Sequence, residues 1–384
     1  MGFEFATAQR VIFGAATSRQ AGMLARRVGT RALVVTGRDT ARAQFLLESL
    51  RENLVRAAVF SVVGEPSIDT VLRGVALAEE ELCDLVISLG GGSALDAGKA
   101  IAAMLTNPGD VLDYLEVIGA GKALTEPSAP FIALPTTAGT GSEVTRNAVL
   151  ASPEHRQKIS LRAPSMLPSV AIVDPELTWG VPPATTACTG MDALTQLIEP
   201  YVCVRANPMT DALCVEGMPR VARSLRIAFE DGRQAGARED MALASLFGGM
   251  ALNNAGLGAV HGFAGAIGGM IPAPHGAICA ALLPHVMEAN LRAMREREPR
   301  HDALRRYEEI ARLLTGRLAA SADDGVEWVR QLVRALRVPT LGSFGLIQAD
   351  LSEVIEKGAK ASSMKANPIV LTIEEQREIL GRVL

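Results

Sequence analysis

The sequence has no long hydrophobic run that would predict a membrane-spanning helix, which needs roughly 18 or more apolar residues. Its N-terminal stretch, MGFEFATAQRVIFG, lacks the charged region and apolar core of a secretory signal. Aromatic residues make up only 4%, the formal net charge is −4, and no basic tail is present. We therefore expect a cytoplasmic protein with neither a membrane nor a nucleic acid as partner.

Cysteine is also scarce, and its spacing excludes the common cysteine frameworks. The five cysteines are odd in number, scattered and free of CxxC spacing: Cys83, Cys188, Cys203, Cys214 and Cys279. This pattern predicts buried, reduced thiols rather than a disulfide scaffold or a cysteine zinc site.

The first half of the chain alternates short apolar runs with helical segments of about a dozen residues. Examples of the apolar runs are ALVVT at 32–36, LVISL at 85–89 and FIAL at 131–134. Such alternation predicts an α/β domain with a parallel sheet covered on both faces. Ligands of these sheets bind beyond the carboxyl ends of the strands.

One glycine loop lies at such a strand end. LVISLGGGSALDAGKA predicts a strand, a turn at Gly90, Gly91 and Gly92, and a helix that Ser93 caps. The free N–H groups of that helix would attract a phosphate. Neither GxGxxG nor GxxxxGK[ST] is matched, so a plain tight βα turn remains an alternative.

A second polar loop, PTTAGTGSE at 135–143, follows the strand at 131–134. Its hydroxyl groups suit a diphosphate or a ribose, while an ordinary polar turn is the alternative. Those hydroxyls belong to Thr136, Thr137, Thr140 and Ser142.

After Asp174-Pro175 the pattern changes to long helical segments, which predicts an all-α second domain. We divide the chain into residues 1–178, the α/β domain, and residues 179–384, the helical domain. In the second domain, Asp192 and Gln196 share one helical face, because they are four residues apart.

Two histidines lie in the glycine-rich apolar segment AVHGFAGAIGGMIPAPHGAICAALLP: His261 and His275. With Asp192 they are enough to hold a divalent metal and leave positions open for a substrate. The alternative is a core histidine at 261 and a helix start at 275, since no HExxH spacing is present.

Together these motifs resemble the iron-containing (group III) alcohol dehydrogenase family over nearly the whole chain. The similar stretches are GGGSALDAGKA, PTTAGTGSEVT, Lys158 in HRQKISL, AIVDPEL at 171–177, GMDALTQLIEPYV at 190–202, GAVHGFAGAIGG and PAPHG. The resemblance implies a Rossmann-like N-terminal domain and a helical metal domain, the dehydroquinate synthase-like architecture, with the active site in the cleft between them. It implies a metal set at Asp192, Gln196, His261 and His275.

The resemblance also implies an activity, a reversible hydride transfer between NAD(P)(H) and a small alcohol or its aldehyde or ketone. Catalysis would rest on Asp192, His261 and His275, with Fe²⁺ or Zn²⁺ as the metal. The remaining motif positions would bind the cofactor, namely Gly91, Gly92, Ser93, Asp96, Thr136, Thr137, Thr140, Ser142, Lys158 and Leu177. A homodimer is the candidate assembly.

The sequence departs from the family pattern at three places. Gln196 stands where the family usually has histidine, which predicts a weaker metal site because an amide oxygen is a poorer donor. Gly265 stands where a second histidine often follows His261. Gly37 and Arg38 follow the second strand, where many relatives have an aspartate. A glycine and an arginine suit the 2′-phosphate of NADP, although Asp39 still suits NAD.

Two other functions stay open. A maleylacetate reductase or glycerol dehydrogenase is the nearer alternative, and the former needs cationic residues for a dicarboxylate, with Lys158 and Arg162 as candidates. A dinucleotide-binding protein without catalysis is the other, with Gln196 and Gly265 as the marks of lost activity.

Overall fold

The structure, a computed structural model, describes residues 2–115 and 118–384. It divides into two compact units. The first comprises Ala6–Thr137 and Gly141–Trp179. The second comprises Gly180–Leu384, together with Ala138–Thr140 and the N-terminal segment that ends at Phe5.

The first unit alternates strands and helices. Its strands are β1 (Val11–Phe13), β2 (Arg31–Thr36), β3 (Arg56–Ser61), β4 (Leu85–Gly90), β5 (Phe131–Pro135), β6 (Asn147–Ser152), β7 (Gln157–Arg162) and β8 (Val170–Val173). Its helices are α1 (Ala21–Arg26), α2 (Gln44–Glu52), α3 (Ile68–Glu80), α4 (Gly92–Met104) and α5 (Val111–Tyr114).

Six strands form one sheet in the order β1-β8-β5-β4-β2-β3, and every pair in it is parallel. Successive residues of β2 face opposite sides, so that Leu33 and Val35 join one core cluster and Val34 joins another. Both faces are therefore apolar and covered, as parallel sheets require. The predicted parallel-sheet α/β domain is confirmed.

The second unit is helical throughout its regular structure. Its helices are α6 (Pro183–Val202), α7 (Pro208–Glu230), α8 (Ala235–Asn254), α9 (Ala259–Met270), α10 (His275–Arg297), α11 (Asp302–Thr315), α12 (Ala322–Ala335), α13 (Leu351–Lys360) and α14 (Ile373–Gly381). They share one apolar core, which includes Met191 and Leu194 of α6 and Phe263 of α9. The predicted helical C-terminal domain is confirmed.

Some elements differ from the sequence expectation. A 3-10 turn, Thr17–Gln20, precedes the short α1, which is shorter than the helical segments of about a dozen residues that the pattern predicts. The antiparallel pair β6–β7 and the strand β8 were not expected. Within the described ranges no single helix is long and apolar enough to cross a membrane. Helices α8 and α9 reach that length and apolarity only when taken together, and the pair is bent by 97°.

Candidate active site: a phosphate edge and a donor cluster

Three loops meet at the carboxyl edge of the sheet. β4 lies between β2 and β5, with Gly90 level with Pro135. The N–H of Thr136 donates to the Gly90 carbonyl at 2.9 Å. A Cβ atom at Gly90 would lie 3.6 Å from the backbone nitrogen of Gly37. We call the backbone at Gly37, Gly91, Gly92, Thr136 and Thr137 the phosphate edge.

The glycine loop needs glycine because side chains would not fit there, and not because its backbone takes an unusual conformation. None of Gly90, Gly91 and Gly92 has a positive φ, contrary to the usual reason for glycine in a turn. A Cβ at Gly90 would instead lie 2.5 Å from the Ala94 Cβ, and one at Gly91 would lie 3.3 Å from Thr137 Oγ1. Side chains at these positions would fill the room in front of helix α4.

The expected cap of α4 was wrong by two residues. Helix α4 begins at Gly92 and Gly91 is its N-cap, so Ser93 lies inside the first turn. The first N–H groups of a helix have no intrahelical acceptor and can bind an anion. The N–H groups of Gly92 and Ser93 are therefore available to an anion at the phosphate edge.

Asp96 links the second polar loop and strand β6 to α4. One carboxylate oxygen accepts from Ser142 Oγ, and the other accepts from the Val149 N–H at 2.9 Å. Lys99, one turn of helix away, is buried and donates to the Ser142 carbonyl at 2.8 Å and to Thr145 Oγ1 at 2.9 Å. Asp96 and Ser142, expected beside the cofactor, thus fix the shape of the second loop.

The residues expected to select the cofactor lie at the end of β2. Arg38 is exposed. Asp39 is engaged in a cap, because its carboxylate accepts from the Ala41 N–H at 3.2 Å. Arg42 donates to the carbonyl of Leu177 at 2.9 Å, which brings Leu177 beside the same loop.

Two expected cofactor residues lie elsewhere. Thr140 belongs to the short stretch Ala138–Thr140 of the helical unit, in which a Cβ at Gly139 would lie 2.7 Å from the Thr189 Cβ. Lys158 lies on β7, where its ammonium group pairs with Glu65 at 3.1 Å. That pairing partly neutralises the lysine charge.

In the helical unit, four donor atoms from three helices converge. They belong to Asp192 of α6, His261 of α9, and His275 and Cys279 of α10, and all lie within 4.8 Å of one another. We call these four residues the donor cluster. The structure therefore brings together Asp192, His261 and His275, which the sequence singled out, and adds Cys279.

The two imidazoles face the same carboxylate oxygen. His261 Nε2 lies 3.4 Å from Asp192 Oδ1, and His275 Nε2 lies 3.7 Å from it. Even so, Asp192 Oδ1 is buried and has no hydrogen-bond partner among the described residues. A buried carboxylate oxygen without a donor is costly unless a cation takes the donor's place, so the cluster fits a divalent ion.

Glu199 orients His261 and was missed by the sequence reasoning. Its carboxylate accepts from His261 Nδ1 at 2.6 Å and from the Val260 N–H at 2.7 Å. With a proton on Nδ1, the lone pair of Nε2 is free for a metal. The sequence could have indicated Glu199, because it lies two helical turns after Asp192 on the same face of the helix.

Gln196 is buried beside the cluster, one turn after Asp192. It helps to lower the pKa of the Asp192 carboxyl group. Its Oε1 is buried without a partner and lies 3.6 Å from the position of a Cβ at Gly248. Metal binding by Gln196 therefore stays a prediction.

The charges of the cluster act on one another. Burial raises the pKa of Asp192, but His275 and His261 outweigh it and leave that pKa below its ordinary value. Burial also raises the pKa of the Cys279 thiol, and the same two histidines outweigh it again. His275 is the most accessible member, with 31% of its side chain exposed, so solvent reaches the cluster from its side.

Backbone contact fixes the start of α10 against α6. A Cβ at Gly276 would lie 2.0 Å from the carbonyl oxygen of Cys188, a distance that no side chain tolerates. Because His275 precedes this glycine and Asp192 lies one turn after Cys188, the helix crossing sets the separation of the two ligand candidates. On α9, a Cβ at Gly265 would meet nothing within 4 Å.

Comparison with known proteins gives the family. Residues 8–175 match the sequence model of the iron-containing alcohol dehydrogenases, and residues 186–384 match that of the C-terminal part of the same family. The 1,3-propanediol dehydrogenase of Klebsiella pneumoniae is 38% identical over 352 residues, which cover 88% of each chain. The NAD-dependent methanol dehydrogenase of Bacillus methanolicus is 32% identical over 379 residues, 97% of each.

The fold agrees with a solved structure of this kind. The crystal structure of a 1,3-propanediol oxidoreductase superposes with a TM-score of 0.92 at 35% identity and covers 100% of both chains. The resemblance in the sequence motifs is therefore confirmed, and so is the predicted oxidoreductase activity on CH–OH groups. The chain belongs to the iron-containing alcohol dehydrogenase family.

Proposed function

We propose that the protein oxidises a small primary alcohol, or reduces the corresponding carbonyl compound, with a divalent ion held by Asp192, His261 and His275. The observation that carries this proposal is the convergence of two imidazole nitrogens on the unpartnered, buried Oδ1 of Asp192. A bound divalent ion supplies a Lewis acid that polarises a carbonyl or alcohol oxygen.

The protein's own groups prepare this reaction. Glu199 keeps the proton of His261 on Nδ1, so that Nε2 is available to the ion. The N-terminus of α4 binds the cofactor diphosphate, and the glycines of the phosphate edge keep side chains out of its way. Gly265 offers no side chain to relay the alcohol proton, so a water molecule or a ribose hydroxyl of the cofactor takes that part.

For the cofactor we propose NADP, with NAD as the alternative. The position after β2 is open, because a Cβ at Gly37 would meet nothing within 4 Å. Arg38 is exposed there, whereas the Asp39 carboxylate already accepts from a backbone N–H. An arginine pairs well with a phosphate. The relative from Bacillus methanolicus is named as NAD-dependent, which favours the alternative.

For the substrate, the names of the relatives favour 1,3-propanediol, methanol and similar small alcohols. A dicarboxylate is less well supported, since Glu65 pairs with Lys158 and Arg162 is exposed. The proposal includes a homodimer in the cytoplasm, which sedimentation and cell fractionation test.

The decisive experiment is metal analysis of protein purified without chelator, followed by assays of the chelated and reloaded protein. We expect bound Fe²⁺ or Zn²⁺, loss of alcohol oxidation on chelation, and recovery on reloading. The assays use methanol, ethanol and 1,3-propanediol with NAD⁺ and NADP⁺, and maleylacetate with the reduced cofactors. Metal-independent turnover, or a preference for the dicarboxylate, would contradict the proposal.

A further inference from the structure

Cys279 belongs to the donor cluster, although the family resemblance did not single it out. Cys279 lies on α10 one turn after His275, so that both side chains leave the same helical face. Its Sγ is buried, 3.6 Å from His275 Nε2 and 3.9 Å from His261 Nε2. Both nitrogens that face the Asp192 carboxylate therefore also face this sulfur.

The distances match those between the ligands of one tetrahedral ion. Around zinc, two nitrogen or oxygen donors lie about 3.4 Å apart, and a nitrogen and a sulfur donor about 3.6 Å apart, given the usual metal–ligand bond lengths. The two nitrogens lie 3.4 and 3.7 Å from Asp192 Oδ1. They lie 3.9 and 3.6 Å from Cys279 Sγ. All four distances agree with a tetrahedron to within about 0.3 Å.

Hydrogen bonding alone explains this arrangement poorly. A thiol carries one proton, which it can donate to only one of the two imidazoles at a time. Asp192 Oδ1 is buried and receives no hydrogen bond from any described residue. Four lone-pair donors around one small volume are what a cation requires.

Gln196 is the competing fourth ligand, and the positions of the donor atoms favour the cysteine. Cys279 Sγ lies 3.6 and 3.9 Å from the two imidazole nitrogens. The Gln196 Oε1 lies against α8 instead, 3.6 Å from the position of a Cβ at Gly248. Cys279 needs no rearrangement to face both nitrogens.

We propose that Cys279 is the fourth protein ligand of the metal ion, through its thiolate sulfur. This inference rests on the proposed function for the presence of a divalent ion at the donor cluster. A second anionic ligand holds the ion more tightly than three ligands and an amide would. A soft sulfur donor also shifts preference from iron toward zinc.

Cobalt substitution tests the proposal without relying on activity. The chelated protein is titrated with Co²⁺, because a cobalt–thiolate bond gives a near-ultraviolet charge-transfer band that oxygen and nitrogen ligands do not give. We expect the band in the wild type, its loss in Cys279→Ser, and its retention in Cys188→Ser and Gln196→Ala. Cys188 is the matched control, since it lies on α6 beside the start of α10 but outside the donor cluster.

Zinc affinity gives a second readout. We expect Cys279→Ser to weaken Zn²⁺ at least tenfold, to weaken Fe²⁺ less, and to leave thermal unfolding of the metal-free protein nearly unchanged. Should the serine variant not fold, Cys279→Asp takes its place, which keeps an anionic ligand but abolishes the band.

The possible results separate the two proposals. Stoichiometric Co²⁺ binding to the wild type without a sulfur band would overturn the role of Cys279 and leave the metal-dependent function standing. A band that persists in Cys279→Ser would do the same. Failure of the wild type to bind Co²⁺ or Zn²⁺ at all would overturn the metal site itself, and the cysteine ligand with it.

Discussion

The phosphate edge and the donor cluster are built in opposite ways. At the phosphate edge the groups proposed to bind the cofactor are backbone N–H groups and small residues in three loops, each contiguous in sequence, at the ends of neighbouring strands. In the donor cluster they are side chains from α6, α9 and α10, brought together only by helix packing. The first kind of site is a local property of the sequence, whereas the second exists only in the folded unit.

The same contrast decides what should happen when each site is altered. A change in the cluster should remove the metal and spare the cofactor, and a change at the edge should do the reverse. The two largest effects test that independence directly, and the smaller ones test one site at a time.

Asp192→Ala should abolish turnover, by about 10³-fold or more, because Lewis-acid catalysis is worth several kcal/mol and the ion loses an anionic ligand. Cofactor affinity should change less than twofold. Metal content by mass spectrometry and NAD(P)H fluorescence titration measure the two effects. A variant that keeps full metal and activity would show that Asp192 is not a ligand.

Gly91→Val should weaken cofactor binding by about tenfold or more, because the added side chain would enter the space beside Thr137 at the N-terminus of α4. Metal content should stay at the wild-type level. The matched control is Gly236→Val, which alters a glycine in the first turn of α8 where a Cβ would meet nothing within 4 Å. Equal cofactor affinity in both variants would refute the phosphate edge.

Glu199→Gln should lower metal affinity by about 10- to 100-fold, the usual effect of removing the carboxylate behind a metal-binding histidine. The amide oxygen can still accept one hydrogen bond, so that the start of α9 should be preserved. Glu309→Gln is the control, since Glu309 accepts from Tyr201 of the same helix but does not touch the cluster. Unchanged Zn²⁺ affinity on isothermal titration would exclude Glu199 from any part in the site.

Arg38→Ala should weaken NADPH more than NADH, by roughly 1 to 3 kcal/mol, if the guanidinium pairs with the 2′-phosphate. NADH serves as the internal control, because it shares every other contact. Equal losses for the two cofactors would mean that Arg38 does not recognise the phosphate.

The sequence predicted the phosphate edge better than the donor cluster for a physical reason. Apolar runs, glycine loops and helix starts are short-range signals, and they located β2, β4, β5 and α4. The hairpin β6–β7 carries no such signal, because its strands are partly exposed and mixed in composition. Helix α9 was hidden by its glycines, which have low helix propensity. Close packing requires one of them, since a Cβ at Gly262 would lie 3.0 Å from Met364 Cε, whereas a Cβ at Gly265 would meet nothing within 4 Å.

In the cluster, the family pattern identified four ligand candidates, Asp192, Gln196, His261 and His275, but gave no reason to consider Cys279. In an apolar helix, a cysteine is usually interpreted as a small core residue. Only the packing of α10 against α6 and α9 shows that its sulfur faces two imidazoles. Glu199 was missed for a similar reason, since its partner His261 lies far along the chain.

The close crossing at Gly276 has a consequence for redesign. Since a methyl group there would strike the Cys188 carbonyl, the spacing of α6 and α10 tolerates no variation at this position. Gln196 and Cys279 are also buried, but each lies beside the candidate ligands through its side chain alone. With the metal site as proposed, single substitutions at these two positions would change metal selectivity, while the helix crossing that spaces Asp192 and His275 would stay as it is.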